Sequence, residues 1–159
     1  MTASVLVIGI GNPDRGDDAA GLHVARRVAA RALPGVAVQE VPGDVLGLFD
    51  RWDGAATVVL VDAAAPSATP GRVHRLDPVA EPLPRALALG STHAFGLGDA
   101  VELARRLGRL PPCMTIYAIE AGSVAPGAAL TPRVAAAVQQ VASQIAAELA
   151  PHATGAAHA

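Results

Sequence analysis

The chain has 159 residues, a net charge of −2, 52% hydrophobic residues and only 3% aromatic ones. That length fits one domain with one core of ordinary size. The charge lacks the basic footprint of a nucleic-acid binder, and there are few rings on which bases could stack, so no nucleic-acid partner is expected.

In chain order, Ser4 to Gly9 is a β-branched run, expected to be a strand buried on both faces. From about Asp17 to Ala32 the pattern turns helical, with Val24, Val28 and Ala32 at four-residue steps and Arg26, Arg27 and Arg31 opposite. Pro34-Gly35 stops that helix. Val36 to Val41 reads as a second strand and Asp44 to Trp52 as a short helix. Thr57 to Asp62 (TVVLVD) is the clearest strand. Gly71 to Leu76 follows across a Pro-rich loop too short for a crossover helix, and is therefore expected to run antiparallel to a neighbour. Three prolines make Asp77 to Ser91 an irregular loop.

Leu97 to Leu107 is expected to be a helix burying Leu97, Val101, Ala104 and Leu107, and Thr115 to Ile119 a last strand. The last helix spans Thr131 to Leu149, with Thr131 as N-cap and Pro132 at the first helical position. Its buried stripe is Val134, Val138, Val141, Ile145 and Leu149. Residues 1–150 thus form one domain and 151–159 a disordered tail.

The one cysteine, Cys113, excludes an internal disulfide and a thiolate cluster, and at the head of an apolar run it reads as a small buried hydrophobe. No apolar stretch approaches the roughly 20 residues of a membrane span, and no secretory n-region is visible, so a cytoplasmic protein without membrane insertion is expected. All 12 basic residues are arginine, which reads as codon bias.

Strands alternating with helices predict an α/β fold: a three-layer α/β/α sandwich around a mostly parallel sheet of about five strands, one antiparallel. In such sheets ligands bind outside the carboxyl ends of the strands. The loop after the first strand holds Asp14, Asp17 and Asp18, and Asp62 ends the third strand. His93 precedes a later helix, where a loop returning over the same edge belongs. An aspartate closing an apolar strand is desolvated and needs a cationic partner, hydrogen bonds or a metal. His23, His74, His152 and His158 lack such context and read as surface residues.

The segment from Gly9 to Asp18 (GIGNPDRGDD) is not a nucleotide loop. A dinucleotide fingerprint needs a third glycine where Asp14 stands, and a P-loop needs lysine and a hydroxyl where Asp17 and Asp18 stand. Two carboxylates at a helix start repel phosphate; they complement the helix dipole or hold a cation. Only Glu40, ending the second strand where a ribose-binding acid would stand, favours a nucleotide-dependent oxidoreductase. Arg15 reads as a substrate contact or a salt-bridge partner.

The runs LVIGIGNPDRGDDAAG, TVVLVDAAAP, STHAFGLGDAVELA and IYAIEAGSVAPGAALTP, in this order and spacing, resemble the hydrogenase maturation proteases (peptidase family M52) from Leu6 to about Val134. The resemblance implies an endopeptidase that removes the C-terminal peptide of a nickel–iron hydrogenase large-subunit precursor. It also implies an α/β/α fold and a nickel- or cadmium-binding triad that falls on Asp18, Asp62 and His93. Asp18 departs from the glutamate frequent at its position, and Val41-Pro42-Gly43-Asp44 departs from a D-G-G-T-like loop. One imidazole and two carboxylates suit nickel or zinc. The nickel is expected to arrive in the precursor as a recognition element. Two mechanisms stay open: metal-assisted hydrolysis, and an aspartic mechanism in which Asp18 and Asp62 share a proton and activate water. The alternative to a protease is a non-catalytic module that senses nickel or docks a hydrogenase-assembly partner.

Overall fold

The computed structural model describes residues 4–43, 45–84 and 96–157. The strands are β1 (Val5–Gly11), β2 (Val36–Pro42), β3 (Thr57–Pro66), β4 (Val73–Leu76) and β5 (Cys113–Ala121). The helices are α1 (Ala20–Ala30), α2 (Leu48–Arg51), α3 (Leu97–Arg106) and α4 (Pro132–Ala157), with a 3-10 turn (Gly16–Ala19) leading into α1. One five-stranded sheet has the order β2-β1-β3-β5-β4, and only the β4–β5 pair is antiparallel. The expected sandwich and its antiparallel member are therefore present.

Alternation along the strands explains the two buried faces. Leu6, Ile8 and Ile10 of β1, with Val58 and Leu60 of β3, pack against α2 and α3. Val5, Val7, Val59 and Val61 face α1 and α4, meeting Val24, Val28, Val134, Val138, Val141, Ile145 and Leu149. Strands covered on both sides can be apolar at every position, which is why β1 and β3 read as continuous runs. Glycine lets α1 lie close to the sheet: a Cβ on Gly9 would stand 2.1 Å from the Gly21 carbonyl oxygen. One on Gly21 would stand 2.3 Å from the carbonyl oxygens of both Ile10 and Val61.

The sheet forks at its carboxyl edge. β1 pairs with β2 as far as Gly11↔Pro42, yet its ladder with β3 stops at Gly9↔Val61. β3 meanwhile stays on β5 as far as Pro66↔Ala121. Because β1 is followed by β2 on one side and β3 on the other, this is the switch point where a crevice opens. Asp62 is the first residue of β3 beyond the fork.

Several expectations are corrected. Residues 151–157 continue α4 instead of forming a tail; the segment is alanine-rich, and Pro151 removes only one backbone donor. Cys113 is exposed, because it is the first residue of β5 at the amino edge of the sheet. Leu107 is 55% exposed, since α3 ends at Arg106. His74 is no plain surface residue: its Nε2 lies 2.9 Å from Glu120 Oε2. Residues 77–84 are irregular as expected, and the rest of that loop lies outside the described residues.

Asp17 ties the 3-10 turn to the loop between β5 and α4. Its side chain is fully buried, and its carboxylate accepts the N–H groups of Gly122 (2.8 Å), Ser123 (3.0 Å) and Thr131 (2.7 Å) and the Thr131 hydroxyl (2.8 Å). Its own N–H donates to the Ser123 carbonyl at 2.8 Å. α4 starts at Pro132 and the Thr131 carbonyl accepts the Ala135 N–H at 2.9 Å, so Thr131 stands at the expected N-cap position while its hydroxyl serves Asp17. Burial works to raise the Asp17 pKa, but the bonds from Ser123, Thr131 and Gly122 outweigh it and the net shift is downward. A carboxyl held below its unfolded value adds stability above the unfolded pKa and loses it as pH falls through the folded one. Asp17→Asn turns an amide N–H toward donors; at about 1–3 kcal/mol per unmatched buried group it should cost about 3 kcal/mol at neutral pH. Thermal melts should show a midpoint lower by about 10 °C, the gap closing below about pH 4. An unchanged midpoint at pH 7 would refute the strut.

Candidate active site

Asp62 shares the face of Leu60 and Ala64, which pack on the α2 and α3 side of the sheet. It is 1% exposed. Its Oδ1 accepts the Ala63 N–H at 2.8 Å, while the buried Oδ2 has no hydrogen-bond partner among the described residues. Burial pushes its pKa well above the usual carboxylate range, and the negative charge of Asp18 pushes it further.

Asp18 reaches this place through the turn that precedes α1. Its N–H donates to the Arg15 carbonyl at 3.0 Å and its carbonyl accepts the Asn12 N–H at 3.2 Å, so the backbone on both sides of the side chain is held. The residue is 8% exposed. Its charge reaches Asp62 across the fork. His93 lies outside the described residues. α3, which follows it in the chain, buries Leu97, Ala100, Val101 and Ala104 on the same face as Asp62. Among the described residues no three His, Cys, Asp or Glu side chains gather as a metal-holding group.

The neighbouring candidates divide differently. Asp14 is exposed, and its carbonyl accepts the Gly127 N–H at 2.7 Å. Arg15 donates through Nε to the Val124 carbonyl at 3.4 Å. Glu40 is paired with Arg26 at 2.8 Å on the exposed surface of β2. The Gly43 N–H donates to the Gly11 carbonyl at 3.1 Å, fastening the loop after β2 beside the fork; Asp44 lies outside the described residues. Sequence reasoning missed Asp17 as a strut, because its partners are 105 to 114 residues away.

Two coupled carboxylates, one of them desolvated, can share a proton or hold a cation. Either use carries a cost while the site is idle. A carboxyl whose folded pKa is raised favours the fold below its unfolded pKa, and that contribution is lost as pH rises through the folded value. Asp62→Asn removes the charge and keeps the Oδ1 acceptor. It should raise stability at pH 7–8 by about 1–3 kcal/mol, because a carboxyl that burial keeps from ionising is no longer held in the site. The gain should vanish below about pH 4, where both forms are neutral. Urea unfolding across pH checks this, and a destabilised variant at pH 8 would show Asp62 to be structural.

Comparison with known proteins follows the same line. The family model described as hydrogenase maturation protease matches residues 42–148. No curated protein sequence matches the chain. Among solved structures, the [NiFe] hydrogenase maturation protease HybD from Thermococcus kodakarensis is 27% identical with a TM-score of 0.67, over 92% of this chain and 98% of that one. An endopeptidase from Escherichia coli is 25% identical with a TM-score of 0.76, over 91% of both chains. The hydrogenase maturating endopeptidase HybD from E. coli is also 25% identical, with a TM-score of 0.70 over 91% of both chains. Matched by the family model over more than half its length and by these folds over nearly all of it, the chain belongs to the hydrogenase maturation protease family, and so to the peptidases.

Proposed function

We propose that this protein is an endopeptidase that removes the C-terminal peptide of a nickel–iron hydrogenase large-subunit precursor after nickel insertion. In this reading Asp18, Asp62 and His93 recognise the nickel that the precursor carries. The observation that supports it best is the buried Asp62 Oδ2, which has no hydrogen-bond partner among the described residues and feels the charge of a second carboxylate at the fork of the sheet. A buried carboxylate oxygen in that state is satisfied by a cation, and two carboxylates with an imidazole suit nickel, with zinc or cadmium as surrogates. His93 stands three residues before Gly96, the residue that precedes α3 on the face of Asp62. A divalent cation held there would polarise the scissile carbonyl or acidify a bound water.

The residues have a second use that the raised pKa of Asp62 favours. With Asp62 protonated and Asp18 ionised, Asp18 would accept a proton from the attacking water. Asp62 would donate its proton toward the oxygen of the scissile carbonyl. The two mechanisms differ in what they require of the substrate. A protein that only docks the precursor differs from both, since it leaves the chain uncut.

Incubation with nickel-free precursor, nickel-loaded precursor, and nickel-free precursor plus free zinc separates these cases, with intact mass as the readout. Only the nickel-loaded sample should lose its C-terminal peptide, and Asp18→Asn, Asp62→Asn and His93→Ala should each lower that processing by about a hundredfold or more. Equal cleavage of nickel-free precursor would overturn metal recognition in favour of the carboxylate pair. Binding without loss of mass would leave only the docking role.

A further inference from the structure

We infer that Asp17 and Thr131 are positioning residues for the reaction, because together they set the backbone from which Asp18 projects. The inference rests on the role proposed above for Asp18. Adjacent aspartates in one 3-10 turn have divided tasks. The Asp17 carboxylate is consumed by four donors from the loop between β5 and α4, whereas the Asp18 charge acts on Asp62 across the fork. The turn has a second fastening on the same side, from the Asp17 N–H to the Ser123 carbonyl at 2.8 Å. It has a third on the opposite side, from the Asn12 N–H to the Asp18 carbonyl at 3.2 Å. Held from both directions, the Asp18 Cα has little freedom to shift, which fixes the point from which its carboxylate projects.

The neighbouring contacts leave little slack for adjustment. A Cβ on Gly16 would stand 2.6 Å from the Ser123 carbonyl oxygen, and one on Gly122 would stand 3.3 Å from Asp17 Oδ2. The turn and the loop are therefore packed backbone to backbone, and a displaced loop carries the turn with it. Thr131 is the part of this fastening that can be altered without unfolding the protein. Its hydroxyl supplies one of the four bonds, while its backbone N–H, another of the four, is independent of its side chain.

Thr131→Val, isosteric but without the hydroxyl, is the informative variant, and Thr131→Ser is its control. A misplacement of about 1 Å at a reacting group can cost on the order of a hundredfold in rate, so a partial loosening should cost about tenfold. With nickel-loaded precursor, Thr131→Val should lower kcat about tenfold at unchanged KM, and Thr131→Ser should restore it. All assays are run well below the melting temperature of each variant, so that lost stability alone leaves the rate unchanged. Carboxyl carbon NMR of the free protein gives a readout that needs no substrate: the Asp18 resonance should move in Thr131→Val and not in Thr131→Ser. Wild-type kcat in Thr131→Val, or an Asp18 resonance that stays in place, overturns the positioning role. If the wild-type protein itself leaves the precursor uncut, the proposed function fails, and the NMR comparison alone decides whether the clamp orients Asp18.

Discussion

The contact on which the carboxyl edge depends is the approach of α1 to the sheet, made at Gly9 and Gly21. No side chain fits between the helix backbone and the carbonyl oxygens of Ile10 and Val61. That closeness brings the start of the helix down onto the point where β1 and β3 part, and with it the turn carrying Asp17 and Asp18. A bulkier residue at either glycine would lift the helix and open a gap under the turn. The glycines of this segment thus serve packing, although they superficially resemble those of a phosphate-binding loop.

Two buried carboxylates, one on the turn after β1 and one on β3, receive opposite treatment. Asp17 is given four donors and is kept ionised; Asp62 is given one and is pushed toward the protonated form. The first arrangement stabilises the fold. The second costs stability, a cost that the role proposed for Asp62 would account for. Their contrast separates scaffold from chemistry more sharply than burial does, since both side chains are almost completely enclosed.

Much of this was legible in the sequence, for identifiable reasons. The β-branched runs of β1 and β3 and the four-residue spacing of Val134, Val138, Val141 and Ile145 are local signals, and they predicted elements that are present. Asp62 stood out because a charged group at the end of an apolar run needs an answer. The extent of β3 was not legible: Ala63 to Pro66 carry no strand signal, and pairing with β5 extends the strand through them. Nor was the role of Asp17, whose partners at Gly122, Ser123 and Thr131 are adjacent only after the chain has folded. The place of Thr131 at the start of α4 was legible from the proline that follows it; the second task of its hydroxyl, on a carboxylate 114 residues away, was not.

The border of the sheet has a consequence for the protein in concentrated solution. The outermost strands are β2 and β4, and each unpaired rim is a template for another strand. β4 is only four residues long, and Arg75 on it is bound by Glu148 of α4, which also takes the Tyr117 hydroxyl at 2.6 Å. β2 carries Gln39 and Glu40, engaged by Arg51 and Arg26. Short length at β4 and fixed charge at both rims oppose edge-to-edge pairing of one sheet with the next. A chain with so many alanines and valines can therefore keep a largely apolar interior without its margins seeding fibres.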